Sequence, residues 1–98
     1  MLIHMVCWKY KPDTDEPARA DHRSRLIALP GIITDIISFD VGADILHLDR
    51  SYDTGLVAVF EDRLAFDRYT EHPVHQLVAA HGRQIAEKVV SVDFLRLD

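Results

Sequence analysis

The segment from Tyr69 to His75 combines a phenol with two imidazoles, His72 and His75, around Pro73. Proline at this point predicts the start of a helix, so Tyr69 lies before a helix break and His75 lies just after it. The positive end of a helix dipole disfavours the imidazolium and leaves a neutral base. A nearby tyrosine can share or donate a proton, as enolisation next to a carbonyl requires. The spacing therefore predicts Tyr69 and His75 as catalytic residues.

The same histidines also admit a structural interpretation. His72 can cap the helix by accepting a backbone N–H, and a buried carbonyl can satisfy His75. A metal site at His72, His75 and His81 is disfavoured, because no cysteine or patterned acid completes the ligand set. The proline between the two closest histidines also departs from the spacing of helical zinc sites. We expect no bound metal.

A fourth histidine, His4, stands in an apolar segment beside Val6 and Trp8. An unpaired buried imidazole costs about 1–3 kcal/mol, so His4 either lines a wet pocket or is hydrogen-bonded within the core. The pocket hypothesis places one small molecule between helices and sheet. Its expected ligand-binding residues are His4, Trp8, Phe60 and His72, around the catalytic pair Tyr69 and His75.

The composition argues against several classes of function. The 98 residues suit one domain, 1–98, and the net charge of −5 argues against binding to nucleic acid or an anionic membrane. The single cysteine excludes an internal disulfide scaffold, and the four glycines form no phosphate-binding loop, so we expect no cofactor. No apolar run is long enough to span a membrane, and no leader is recognisable. These features predict a cytoplasmic protein.

The hydrophobic pattern predicts four strands and two helical regions. The expected strands are Leu2–Tyr10, a segment from Ile33 to Gly42, Gly55–Phe60 and Lys88–Leu97, with Ala43–Thr54 as a long loop. The first helix begins at Thr14 or Asp15 and stops at Pro30-Gly31, and the second region opens at Glu61-Asp62, runs to about Tyr69 and restarts at Pro73. The expected buried stripes are Ala18, His22, Leu26 and Leu29, and Val74, Leu77, Val78, His81 and Ile85.

This order of elements predicts an α+β fold of the ferredoxin-like, split βαβ type. It contains a four-stranded antiparallel sheet with both helical regions on one face. The first strand is apolar on both sides, yet the helices can cover only one. The simplest cover for the open face is a second copy of the same sheet, so we expect a homodimer.

Several stretches of the chain match, in order, the pattern of a known family. They are Ile3-His4-Met5-Val6, Leu29-Pro30-Gly31-Ile32, Ser38-Phe39-Asp40-Val41-Gly42, Ala58-Val59-Phe60-Glu61-Asp62, Tyr69 with His72-Pro73-Val74-His75, and Val90-Ser91-Val92-Asp93-Phe94. Together they resemble the stress-responsive α/β barrel (Dabb) domain over nearly the whole chain. The resemblance implies a ferredoxin-like protomer whose sheet packs against its twin's in a dimeric α+β barrel.

The resemblance does not imply a single reaction, because folds of this kind host many functions. One characterised member, a plant polyketide cyclase, performs an intramolecular aldol condensation without a cofactor. Its tyrosine and two of its histidines correspond to Tyr69, His75 and His4, whereas a further third-strand histidine corresponds to Thr54.

Two functional hypotheses follow. The first is a pocket for an aromatic or polyketide-like compound, with cofactor-free acid–base catalysis. The second is a non-catalytic homodimer that protects under stress or binds a partner. Substitution of His75 separates them, since it abolishes activity in the first and only lowers stability in the second.

Overall fold

One layer of helices covers one face of a sheet in the computed structural model, which describes residues 1–97. The elements are β1 (Leu2–Tyr10), α1 (Glu16–Ile27), β2 (Ile36–Ala43), β3 (Thr54–Phe60), α2 (Arg63–Glu71), α3 (Pro73–Ile85) and β4 (Ala86–Leu95), with a 3₁₀ turn at Leu29–Gly31. The four strands are antiparallel in the order β2-β3-β1-β4. This topology confirms the predicted ferredoxin-like plan.

Side chains placed just before each helix fix where the helices begin. The Asp15 carboxylate accepts the backbone N–H of Ala18 at 3.0 Å, and the Asp62 carboxylate accepts that of Ala65 at 2.9 Å. These bonds satisfy N–H groups that have no partner inside the helix. Of the two caps considered for α1, the structure has Asp15.

The predicted start of β2 at Ile33 is wrong, and β4 is shifted by two residues from its predicted bounds. β2 begins at Ile36 because the backbone N–H of Ile33 donates to Leu29 O at 2.8 Å, which keeps Ile33 in the preceding turn while its side chain enters the core. β4 begins at Ala86, directly after α3, and ends at Leu95. The remaining elements lie within about two residues of their predicted bounds, as is usual at element ends.

One member of the predicted stripe on α3 is also misplaced. Leu77 is 73% exposed, whereas Val78 is buried. A step of three residues from Val74 rotates Leu77 about 60° away from the line through Val74, Val78 and Ile85. Leu77 therefore lies outside the contact with the sheet.

A buried hydrogen-bonded network connects α1 to the sheet. The Tyr10 hydroxyl donates to Thr54 Oγ1 at 2.9 Å and lies 2.7 Å from Nδ1 of His22, which is 0% exposed. Burial lowers the pKa of His22 to about 4, and the charges of His81 and Arg23 act in the same direction. The His22 ring is therefore neutral, and its Nδ1–H donates to the Tyr10 oxygen.

Gly82 lets α3 approach this network closely. A Cβ at position 82 would lie 2.8 Å from Nε2 of His22 and 3.0 Å from Nε1 of Trp8. Both rings are buried and packed edge to face, with centroids 5.0 Å apart. The helix can take this position only without a side chain at residue 82.

The face of the sheet opposite the helices is mostly apolar across β3, β1 and β4, whereas the edge strand β2 adds Ser38 and Asp40 to it. Its apolar side chains come from the three strands β3, β1 and β4: Ile3, Met5, Cys7, Val57, Val59, Val90, Val92 and Phe94. Met5, on the central strand, is 36% exposed. No element within residues 1–97 packs over this open face, which we call the apolar sheet face.

Residues 44–53, in the predicted long loop, are held against the end of β1. The Asp53 carboxylate accepts the backbone N–H of Tyr10 at 2.8 Å, and the Asp53 N–H donates to Trp8 O at 2.9 Å. The loop presents Ile45, which is 85% exposed, and Leu46 on its outer side. None of the helices described over 1–97 has the length and apolarity needed to cross a membrane.

Replacing Gly82 with alanine should destabilise the protein. Alanine gains up to about 1 kcal/mol in helix propensity, but overpacking against His22 and Trp8 costs about 1–3 kcal/mol. We expect a net loss of about 1 kcal/mol in the free energy of unfolding, measured by chemical denaturation. Gly31→Ala is the matched control, since no atom lies within 4 Å of its added Cβ. A Gly82→Ala protein as stable as Gly31→Ala would contradict the packing argument.

Acid should destabilise the protein through His22. The unfolded chain, with a pKa near 6.5, binds the proton more readily than the folded chain, where the pKa is about 4. This contribution to stability is present above pH 6.5 and is lost as the pH falls toward 4, by about 3 kcal/mol in total. Unfolding of wild type should show this slope, and His22→Gln should flatten it. An NMR titration of the His22 ring with a midpoint near 6.5 would contradict the burial argument.

Candidate small-molecule site

A cavity of about 210 Å³ lies between α3 and the sheet, on the helix side of β1 and β4. It is bounded by residues from α2, α3 and these two strands: His4, Val6, Trp8, Thr70, His75, Ala79, Arg83, Val89 and Ser91. Apolar walls carry a small number of polar groups, a composition typical of small-molecule sites.

The strand register brings an acid to His4. Residue 4 of β1 is paired with residue 93 of β4, and the Asp93 carboxylate accepts a hydrogen bond from His4 Nδ1. A carboxylate fixes the tautomer with the proton on Nδ1 and leaves Nε2 as the basic nitrogen. The His4 ring also packs against Phe66, with centroids 5.0 Å apart. His4 thus has the partner that a buried imidazole requires, and it lines the cavity.

His75 is held in a similar way by the backbone. Its Nδ1–H donates to the carbonyl of Thr70 at 3.2 Å, which again leaves Nε2 unprotonated. Burial lowers the pKa of His75, and the nearby charges of His4 and Arg83 lower it further against the opposing effect of the Thr70 carbonyl. The imidazole is therefore neutral near pH 7 and can accept a proton or a hydrogen bond.

Tyr69 lies behind His75. Their ring centroids are 4.2 Å apart, and Tyr69 is 1% exposed and does not border the cavity. Burial raises the pKa of its phenol, which keeps it protonated. Phe60 is buried still deeper, with its ring 4.9 Å from that of Tyr69. Tyr69 thus packs against the His75 ring from the core side, and Phe60 packs against Tyr69 in turn.

His72 occupies a different position from the other predicted site residues. Its Nδ1 accepts the backbone N–H of Val74 at 3.1 Å, which caps α3 ahead of Pro73. It does not line the cavity. The structure therefore brings His4, Trp8 and His75 together, places Tyr69 and Phe60 in the layer behind, and leaves His72 at the helix end.

Sequence reasoning missed Asp93 and Arg83. Asp93 fits the alternation of β4 as a polar residue between Val92 and Phe94, but only the register shows that it pairs with His4. It also lines a neighbouring cavity of about 360 Å³, next to Leu2 and Phe66. Arg83 is eight residues after His75, a spacing that returns to the same side of a helix. This helical spacing from His75 is the signal in the sequence that could have identified Arg83.

His81, considered above as a metal ligand, lies beside His22, with ring centroids 5.9 Å apart. In the part of the chain that is described, no three side chains of His, Cys, Asp or Glu are grouped as metal ligands.

Comparison with known proteins identifies the family. The model of the Stress Responsive A/B Barrel Domain (Dabb) matches residues 2–95. The chain belongs to the Dabb family. This confirms the resemblance inferred from the sequence motifs. An uncharacterized protein of Streptomyces coelicolor is 30% identical over 93 residues, which cover 93% of this chain and 96% of that protein.

Solved structures share the fold of this Dabb domain. A dimeric ferredoxin-like protein of unknown function from Thermobifida fusca has a TM-score of 0.86 and 22% identity, covering 95% of this chain and 88% of that one. A hydroxynitrile lyase from Passiflora edulis has a TM-score of 0.89 and 17% identity, covering 99% and 94%. At these identities the likeness establishes the fold, and it leaves the reaction open.

Proposed function

We propose that this Dabb protein binds a single-ring aromatic compound in the cavity between α3 and the sheet and moves protons on it without a cofactor. The observation that carries the proposal is the presence of two histidines, His4 and His75, in one cavity, each with Nδ1 engaged and Nε2 left as the acceptor. Two such bases on an apolar wall suit proton abstraction next to a carbonyl.

The volume of the cavity supports the size of the ligand. An apolar cavity of about 150 Å³ accommodates benzene. The 210 Å³ here leaves room for one ring with small substituents, with Trp8 and Val6 among the apolar walls. An extended polyketide chain would need further space, so the aromatic compound is the better fit.

His4 and His75 have different surroundings and so different proposed roles. His4 takes the proton at Nε2, because the Asp93 carboxylate stabilises the imidazolium that forms, as in an Asp–His pair. His75 stays neutral and its Nε2 accepts a hydrogen bond from a hydroxyl of the ligand. Tyr69 acts as a positioning residue, because its ring packs against that of His75.

The proposal includes a homodimer formed through the apolar sheet face. The face exposes Met5, Val92 and Phe94 in one continuous patch. The Thermobifida fusca neighbour is described as dimeric. Burial of apolar surface is the main favourable contribution in association, and a two-fold arrangement covers the same patch on both copies.

The proposed location is the cytoplasm. The single cysteine, Cys7, is free, which fits a reducing compartment of this kind.

Proton transfer can be tested with acetophenone, an aryl ketone with one ring. In D₂O, wild type should accelerate deuterium incorporation into the methyl group, followed by NMR. His4→Gln should lower the enzyme-dependent rate about 100-fold, the scale of a lost general base, and Asp93→Asn should also lower it. His47→Asn is the matched control: His47 is exposed on the loop, and asparagine tolerates its positive φ.

Three outcomes are informative in this assay. Exchange at the wild-type rate in His4→Gln would refute the proposed base. Ligand-induced shifts of cavity amides without exchange would leave a binding protein, the non-catalytic alternative. Absence of both binding and exchange across a panel of single-ring ketones and phenols would refute the proposed function.

Association through the apolar sheet face can be tested with Met5→Lys. A lysine at the centre of the face is solvated in a monomer but buried in the dimer, which costs several kcal/mol when it is unpaired. We expect wild type to be dimeric by light scattering and Met5→Lys to be monomeric, with a melting temperature that no longer depends on concentration. Leu77→Lys, on the outer side of α3, is the control and should remain dimeric. A dimeric Met5→Lys would place the interface elsewhere.

A further inference from the structure

Three residues on one side of α3 line the cavity: His75, Ala79 and Arg83. They are four residues apart, so each lies about one turn beyond the last. The backbone of Arg83 is therefore about 12 Å along the helix axis from that of His75. The proposed acceptor His75 and the cation Arg83 thus lie two turns apart along the wall that α3 gives the cavity.

Arg83 has no acidic partner within residues 1–97. Other arginines on the helices are paired: Arg23 with Glu16 at 2.7 Å, and Arg68 with Asp35 at 2.9 Å. Arg83 is also the one guanidinium or ammonium group among the lining residues. Arg83 is exposed to solvent and borders the cavity, and its positive charge contributes to the lowered pKa of His75.

The acid that also lies close to this cavity is already engaged. The Asp93 carboxylate accepts the hydrogen bond from His4 Nδ1. Apart from the two histidines, Thr70 and Ser91, the residues that line the cavity with Arg83 are apolar: Val6, Trp8, Ala79 and Val89. A guanidinium beside an apolar wall offers a planar, bidentate contact to a carboxylate and an apolar surface to the ring that carries it.

We infer that the compound bound in this cavity is a single-ring aromatic carboxylate, held with its carboxylate against Arg83 and its ring directed toward His4 and His75. The inference rests on the proposed function and adds the anionic group to it. A single cation and a small cavity suit one negative charge, whereas a phosphate or diphosphate needs more donors. Arg83 is thus the specificity-determining residue of the site.

The test compares 4-hydroxybenzoate with 4-hydroxybenzamide, which has the same ring and hydroxyl and no charge. Binding to the full chain is followed through the amide resonances of the cavity-lining residues, such as Val89 and Ser91. Wild type should bind the carboxylate about 10-fold more tightly than the amide. Arg83→Gln should remove this preference by weakening the carboxylate alone, and salt raised from about 0.02 M to 0.5 M should reduce it in wild type.

Two further variants test whether the preference for the carboxylate depends on the position and the geometry of the charge. Arg50→Gln, on the loop 44–53, removes the same charge outside the cavity and should leave both affinities unchanged. Arg83→Lys keeps the charge without the bidentate geometry and should retain part of the preference.

The outcomes separate this inference from the proposed function. Equal affinity for the two probes in wild type, or equal weakening of both by Arg83→Gln, would overturn the carboxylate assignment and leave the aromatic site in place. Absence of cavity shifts with either probe would overturn both this inference and the proposed aromatic site.

Discussion

The pairing register of β1 with its neighbours is the constraint on which both faces of the sheet depend. Residue 4 lies opposite residue 93 on the helix side, and residue 5 lies opposite residue 92 on the other side. A slip of one residue would exchange these faces, since side chains alternate along a strand. A slip of β1 would move His4 onto the apolar sheet face and turn Met5 toward the helices, while Asp93 and Val92 of β4 kept their faces, so the His4–Asp93 pair would be broken. The register is therefore fixed by hydrophobic burial, and the polar pair is positioned as a consequence.

Local pattern was sufficient to predict the fold but only part of the site. The largely apolar runs of β1 and β3, the caps at Asp15 and Asp62, and the break at Pro73 are all short-range signals, and each placed an element within about two residues. The β2 boundary failed because a turn that buries Ile33 has the same apolar spacing as a strand.

The site could not be predicted in full from residue spacing, because it depends on contacts between segments that are far apart in the sequence. His4 and Asp93 are 89 residues apart in sequence, and only the pairing of β1 with β4 brings them together. Tyr69 was expected as a catalytic residue because its phenol is close to His75 in sequence, and Phe60 as an apolar wall, but large aromatic side chains are equally suited to the core. The packing of α2 on the sheet decided between these two environments. For His72, the capping interpretation describes its contact in the structure.

Burial has different consequences at two histidines, His22 and His75. Burial lowers the pKa of both His22 and His75, so both rings are neutral. Around His22 the space is filled, because α3 approaches at Gly82 and Tyr10 takes the Nδ1 hydrogen bond, so no room is left there for a ligand. His75 borders an open cavity instead, and the same desolvation leaves a basic nitrogen available to a ligand. The fold thus obtains a neutral base mainly from burial, and the cavity beside it, more than the pKa, distinguishes the proposed functional histidine from the structural one.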